Sequence, residues 1–108
     1  QETSDTPTRA MLMLNMVTTE ELLDDAEYQD IMEDVRSECE RHGTVTSVYI
    51  PRPDGTDAEP QGVGRVYVQF EHTPQCEAAL RAIAGRQFDG RTVICAYVRD
   101  EAWPRAAA

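Results

Sequence analysis

The chain contains no lysine. Its ten basic residues are all arginine, scattered as Arg9, Arg36, Arg41, Arg52, Arg65, Arg81, Arg86, Arg91, Arg99 and Arg105, and they face twenty acids for a formal net charge of −10. Affinity that rests on neutralising phosphates needs cations gathered along the contact, so a surface that tracks a nucleic-acid backbone is disfavoured. Histidine is scarce as well: His42 and His72 stand alone, each at or near an expected element end, with no nucleophile or metal set converging on them. A small enzyme is therefore disfavoured, and no catalytic residue, metal or cofactor is expected. Cys39, Cys76 and Cys95 are odd in number, lack metal-ligand spacing and fall at apolar positions, which reads as reduced core thiols of an intracellular protein. No apolar run approaches the roughly 20 residues that span a bilayer, so no membrane segment is expected. The sequence starts at Gln1 without methionine, as expected for a piece whose targeting signals lie elsewhere.

At 108 residues and 12.1 kDa there is room for one domain. Residues 1–8 are polar, include Pro7 and read as a flexible lead-in rather than a first element. Residues 10–17 (AMLMLNMV) form an apolar run that fits a buried strand. From 21 to 42 the period changes: Tyr28, Ile31, Met32, Val35 and Cys39 trace one helix face, ended by Gly43. Residues 44–51 alternate and end at Pro51, giving a second strand, and a polar loop with Pro53, Gly55, Pro60 and Gly62 follows. A third strand spans 64–70. Thr73-Pro74 offers a helix cap with proline at the first helical position, and Cys76, Ala79, Leu80 and Ile83 line the buried stripe before Gly85. Residues 91–98 (RTVICAYV) make the last strand. The order predicts an α+β, ferredoxin-like β-α-β-β-α-β fold over residues 9–99, a four-stranded antiparallel sheet with two helices on one face and the other face open, followed by a tail at 100–108.

RNA-recognition domains share this topology and stack bases on aromatics of the two central strands. The third-strand consensus Lys/Arg-Gly-Phe/Tyr-Gly/Ala-Phe-Val-x-Phe/Tyr meets VGRVYVQF here. Gly64, Tyr67, Val68 and Phe70 fit, but Val63 replaces the basic residue, Arg65 replaces a stacking ring, and Leu12 stands where the first strand should supply another. Each lost stacking contact removes about 1 to 3 kcal/mol per base. Arg65 and Tyr67 stay as a residual RNA contact, with Arg91 as a third member; alternatively, Tyr67 is a sheet-face residue covered by the tail.

Ten of the twenty acids lie between residues 20 and 42. Most of these make an ordinary solvated helix surface. Asp30, Asp34 and Glu38 nevertheless form an i, i+4, i+8 stripe bordering Ile31 and Val35, with Glu27 on the same side, at the rim of any groove the helix makes. Like charges at this spacing repel by a few tenths of a kcal/mol, which a cationic ligand would relieve. Phe88 lies between Gly85 and Gly90, where no periodicity buries a large ring, so it either plugs the end of the core or is displayed. Arg86, two residues before it, is placed to pair with an acid of the first helix.

Several separate blocks agree in order and spacing with a known family. Leu14-Asn15-Met16-Val17, Glu20 to Asp25 with Tyr28, Glu33-Asp34-Val35-Arg36, Glu38-Cys39, His42-Gly43, Ile50-Pro51-Arg52-Pro53 and Gly85-Arg86-Gln87-Phe88 resemble the U2 auxiliary factor homology motif at the C-terminus of the U2 snRNP auxiliary factor large subunit. The resemblance covers residues 10 to 98. It implies an RNA-recognition fold that binds proteins in pre-mRNA splicing, in the nucleus. The implied ligands are segments with a basic run followed by tryptophan, in the branch-point-binding splicing factor one and in the large subunit of splicing factor three b. The tryptophan would enter a pocket between the helices and pack on Phe88, Arg86 would bridge to Glu38, and Asp30, Asp34 and Glu38 would receive the basic run. The runner-up is a weak RNA-binding domain using the sheet face. Trp103 follows Arg99-Asp100-Glu101-Ala102, which is no basic run, and is expected to pack on its own domain.

Overall fold

The computed structural model describes residues 2–53 and 64–103. Most of the polar loop after Pro53, Val63 and the last five residues of the tail lie outside this range. The elements are β1 (Thr3–Ser4), β2 (Ala10–Leu14), α1 (Thr19–Leu23), α2 (Asp25–Glu40), β3 (Val45–Tyr49), β4 (Arg65–Phe70), α3 (Thr73–Ile83), β5 (Gln87–Phe88), β6 (Arg91–Thr92), β7 (Ile94–Val98) and a 3-10 turn at Asp100–Ala102. The sheet order is β1-β7-β2-β4-β3, every pair antiparallel. The expected order of strands and helices is present with two additions.

The first addition is at the edge. Thr3–Ser4, expected as lead-in, pairs with β7 through Thr3↔Val98 and Ser4↔Tyr97, so among the described residues the sheet has five strands and not four. The second is a hairpin. The strand expected over 91–98 is interrupted at the buried Val93, and its first two residues turn back to pair with Gln87 and Phe88. Asp89 (φ 53°) and Gly90 (φ 79°) both take positive φ, the two-residue turn whose twist matches a hairpin.

The expected helix over 21–42 is two helices. Thr18 caps α1 reciprocally: its hydroxyl accepts from Glu21 N at 3.2 Å, while Glu21 Oε1 accepts from Thr18 N at 2.8 Å. Asp24 then leaves the helix (φ −92°, ψ 119°) and caps α2, its Oδ1 accepting from Glu27 N at 3.0 Å. Arg52 staples the break. Its Nε donates to the Leu22 carbonyl at 2.8 Å, its Nη2 to Asp25 at 2.7 Å, and its guanidinium lies 4.3 Å from the centre of the Tyr28 ring. Helix α3 is capped by His72 and not by Thr73; the His72 N–H donates to Gln75 Oε1 at 2.9 Å.

Strand alternation sorts the side chains. Met11, Met13, Val66, Val68 and Phe70 meet Val35, Cys39, Cys76, Ala79 and Ile83 in the main core, so the helices cover one face. Each fully buried large apolar side chain contributes about 1.5 to 3 kcal/mol. The other face carries Ala10, Leu12, Tyr67 and Val98. It is not left open as expected: Trp103 and Ala102 pack onto this cluster.

Candidate functional site

A cavity of about 410 Å³ opens between α2 and the segment leaving α3. This lies within the range of small ligand pockets. Val35, Ile31, Ile83, Val93 and Met16 make its apolar floor and walls, while Asp34, Ser37, Glu38 and Arg41 line the α2 side and Arg86, Gln87 and Phe88 the other. The floor is continuous with the main core, which holds its shape.

The chain is held tightly where it leaves α3. Gly85 (φ 85°) donates to the Val93 carbonyl at 2.9 Å, Val93 N to the Arg86 carbonyl at 2.9 Å, and Arg86 N to the Ile83 carbonyl at 3.0 Å. Arg91 ties the hairpin to the loop after β2, its Nε on the Asn15 carbonyl at 3.1 Å and its Nη2 on the Met16 carbonyl at 2.9 Å, with Glu21 at 3.6 Å. Asn15, itself at φ 70°, returns a bond from Nδ2 to the Thr92 carbonyl at 3.0 Å. Phe88 is therefore displayed from a fixed hairpin, 38% exposed. An exposed phenylalanine at the lip of an apolar cavity can receive a second ring.

Of the five residues expected at a peptide site, Asp34, Glu38, Arg86 and Phe88 line one cavity. Asp30 lies outside the lining, on the exposed surface one turn earlier. Arg86 Nη1 stands 3.1 Å from Glu38 Oε2, and Arg41 Nη1 is 3.5 Å from Glu38 Oε1. Half-exposed pairs of this kind contribute about 0 to 1 kcal/mol, so their value is in orientation. Sequence reasoning missed Ser37, Arg41 and Gln87. The first two sit at i+3 and i+7 from Asp34, a spacing that the acidic stripe could have suggested.

The sheet face has a different state. Tyr67, opposite Leu12 in register, is 5% exposed. Its hydroxyl donates to Glu2 Oε1 at 2.9 Å and accepts from Arg65 Nη1 at 3.2 Å, and Arg65 also pairs with Glu2. Tyr49 stacks beside it at 6.0 Å and Trp103 meets it edge-on at 6.2 Å. All three members of the RNA alternative, Arg65, Tyr67 and Arg91, are engaged within the domain.

Burial raises the thiols of Cys39 and Cys76 to about 12 and that of Cys95 to about 11, the form that is neither nucleophile nor metal ligand. Among the described residues no three His, Cys, Asp or Glu side chains gather to hold a metal, and no helix is long and apolar enough to cross a membrane.

No family model matches the chain. Individual proteins do. A splicing factor U2af large subunit of Nicotiana plumbaginifolia is 36% identical over 90 residues, 83% of this chain and 16% of that protein. A splicing factor U2af large subunit of Oryza sativa subsp. japonica is 37% identical over 91 residues, 84% of this chain and 17% of that protein. The chain belongs to the domain family carried by the U2af large subunits. It spans about a sixth of the length of these relatives. The same domain type also matches the serine/threonine-protein kinase Kist of Pongo abelii, 32% identical over 99 residues, 92% of this chain and 22% of the kinase. Among solved structures, the RNA15 RRM superposes with a TM-score of 0.58 over 89% of this chain and 95% of its own, at 17% identity. That likeness gives the domain an RNA-recognition fold.

Proposed function

We propose that this domain is a non-enzymatic peptide-recognition module of a pre-mRNA splicing factor. It acts in the nucleus, where it helps to assemble the complex at the branch site and 3′ splice site. Its ligand is a linear segment with a basic run followed by tryptophan, carried by the branch-point-binding splicing factor one or by the large subunit of splicing factor three b. The observation that carries this reading is the cavity itself: an apolar floor, Phe88 exposed at its lip, and Asp34 and Glu38 on its rim.

The mechanism follows from the division of labour in such a groove. The ligand's indole leaves water for the floor of Ile31, Val35, Ile83 and Val93 and meets Phe88, which supplies most of the affinity. The basic run passes along Asp34 and Asp30, which set direction and speed of encounter. The pair of Arg86 with Glu38 holds the segment before Phe88 against α2.

Calorimetry with a synthetic peptide of several arginines and lysines followed by tryptophan tests this, beside the same peptide with alanine for tryptophan. Saturable one-to-one binding lost in the alanine peptide is expected. Equal binding of both would reduce the acidic helix to a nonspecific polyanion. The engagement of Tyr67 by Trp103 and Glu2 favours this reading over RNA binding by the sheet; a gel shift with pyrimidine-rich RNA is expected to stay empty.

A further inference from the structure

Glu38 faces three cationic or ionisable groups. Besides Arg41 on Oε1 and Arg86 on Oε2, His42 Nε2 lies 4.0 Å from that same Oε2. The histidine sits just beyond α2, its backbone N–H donating to the Cys39 carbonyl at 3.0 Å. Gly43 after it packs so closely on α3 that a β-carbon there would come within 2.3 Å of Gln75 Cβ. The backbone that carries the imidazole is thus fixed. Nε2 is shielded from solvent and, among the described residues, has no hydrogen-bond partner. Among the described residues the charged group paired with the ring is Glu38, which also holds Arg41 and, from the loop after α3, Arg86; on α3, the uncharged Gln75 packs against the neighbouring Gly43.

A buried nitrogen without a partner is unfavourable, and in the imidazolium both ring nitrogens carry protons, so that Nε2 is then always a donor facing a carboxylate. At 4.0 Å the bond is not yet made, so Glu38 Oε2, which also holds Arg86 Nη1 at 3.1 Å, must shift towards the ring to make it. The two competitors are unequal. Arg86 is more than half exposed and regains water when released, whereas the shielded Nε2 has no such alternative. We propose that His42 is a positioning residue for the cavity: it competes with Arg86 for Glu38 Oε2, so that protonation of the ring frees the Arg86 side chain at the cavity wall while the backbone of the hairpin stays held.

Histidine changes charge in the range where modest acidification acts. The added positive charge beside Glu38 also opposes a basic ligand. That second effect rests on the peptide reading above, but the coupling between His42 and Arg86 is a property of the free domain.

The test therefore uses the ligand-free chain. Nitrogen-15-labelled protein is followed by NMR from about pH 7.5 to about pH 5.5. The Arg86 side-chain N–H is expected to shift with the midpoint of the His42 ring. In His42→Gln that shift disappears, and in Glu38→Gln the ring titrates while the Arg86 N–H stays still. His72, exposed beside Glu71, is the internal reference. The proposal is overturned if the ring titrates without moving the Arg86 side-chain N–H, if it does not titrate in this window, or if the shift persists in His42→Gln. Loss of peptide binding in calorimetry would leave this result unaffected, so the two readings fail separately.

Discussion

The indole of Trp103 stands edge-on to the ring of Tyr67, their centroids 6.2 Å apart and their planes at 81°. Edge-to-face pairs contribute about 0.5 to 1.5 kcal/mol beyond the area they bury. Trp103→Ala is therefore expected to lower stability by about 1 to 2 kcal/mol, read by urea unfolding followed by circular dichroism. Peptide affinity should not change, because the indole packs on the sheet face away from the cavity. A variant as stable as the parent would show that the tail does not hold this face.

Phe88→Ala separates function from folding. With 38% of the residue exposed, its loss should lower stability by about 1 to 2 kcal/mol, which leaves the domain folded, while peptide binding weakens by about 2 kcal/mol or more. Parallel calorimetry and unfolding measure the two. An unchanged dissociation constant would sink the assignment of the cavity.

Asp34→Arg reverses one charge on the rim without touching the floor. Affinity for the basic peptide should fall, and its dependence on salt should flatten, because one screened attraction has been removed. Titrations of mutant and parent at low and high salt decide; identical salt slopes would contradict a role for this carboxylate.

Alkaline pH should destabilise the fold. Burial raises Cys39 and Cys76 from 9.0 to about 12, and it also raises Tyr28 and Tyr97. A thiol that stays protonated in the native state but ionises on unfolding binds more protons when folded. Stability is then full below pH 9 and falls between there and about 12, by at most about 1.4 kcal/mol per thiol per pH unit. With no lysine in the chain, no side-chain amine titrates across that range. Urea midpoints at pH 8 and pH 10 provide the check, and a midpoint that rises would refute it.

Periodicity made much of this architecture legible. Met11, Met13, Val66 and Val68 alternate, and Val35 and Cys39 recur at helical spacing, because one side of each element must leave water. The division at Asp24 was written in two consecutive caps, Thr18 with Glu21 and Asp24 with Glu27, but the acids around them looked like continuous helix surface. The hairpin was signalled by Asp89-Gly90, yet two-residue strands leave no alternation to read. Glu2 on Tyr67 joins residues 65 positions apart, and local pattern contains no trace of it. The cavity was half legible: Arg86, Phe88 and the acidic stripe marked its rim, whereas the place of Met16 and Val93 in its wall depends on how the hairpin folds back.

The pairing of β1 with β7 brings the beginning and end of the described chain together. The Arg99 amide donates to the Glu2 carbonyl at 2.8 Å, so residue 2 lies one backbone bond from the end of β7, at the edge of the sheet. Residues 2–4 thus close the sheet like a clasp, and the β7 amides opposite them are expected to exchange with solvent more slowly than those of an open sheet edge.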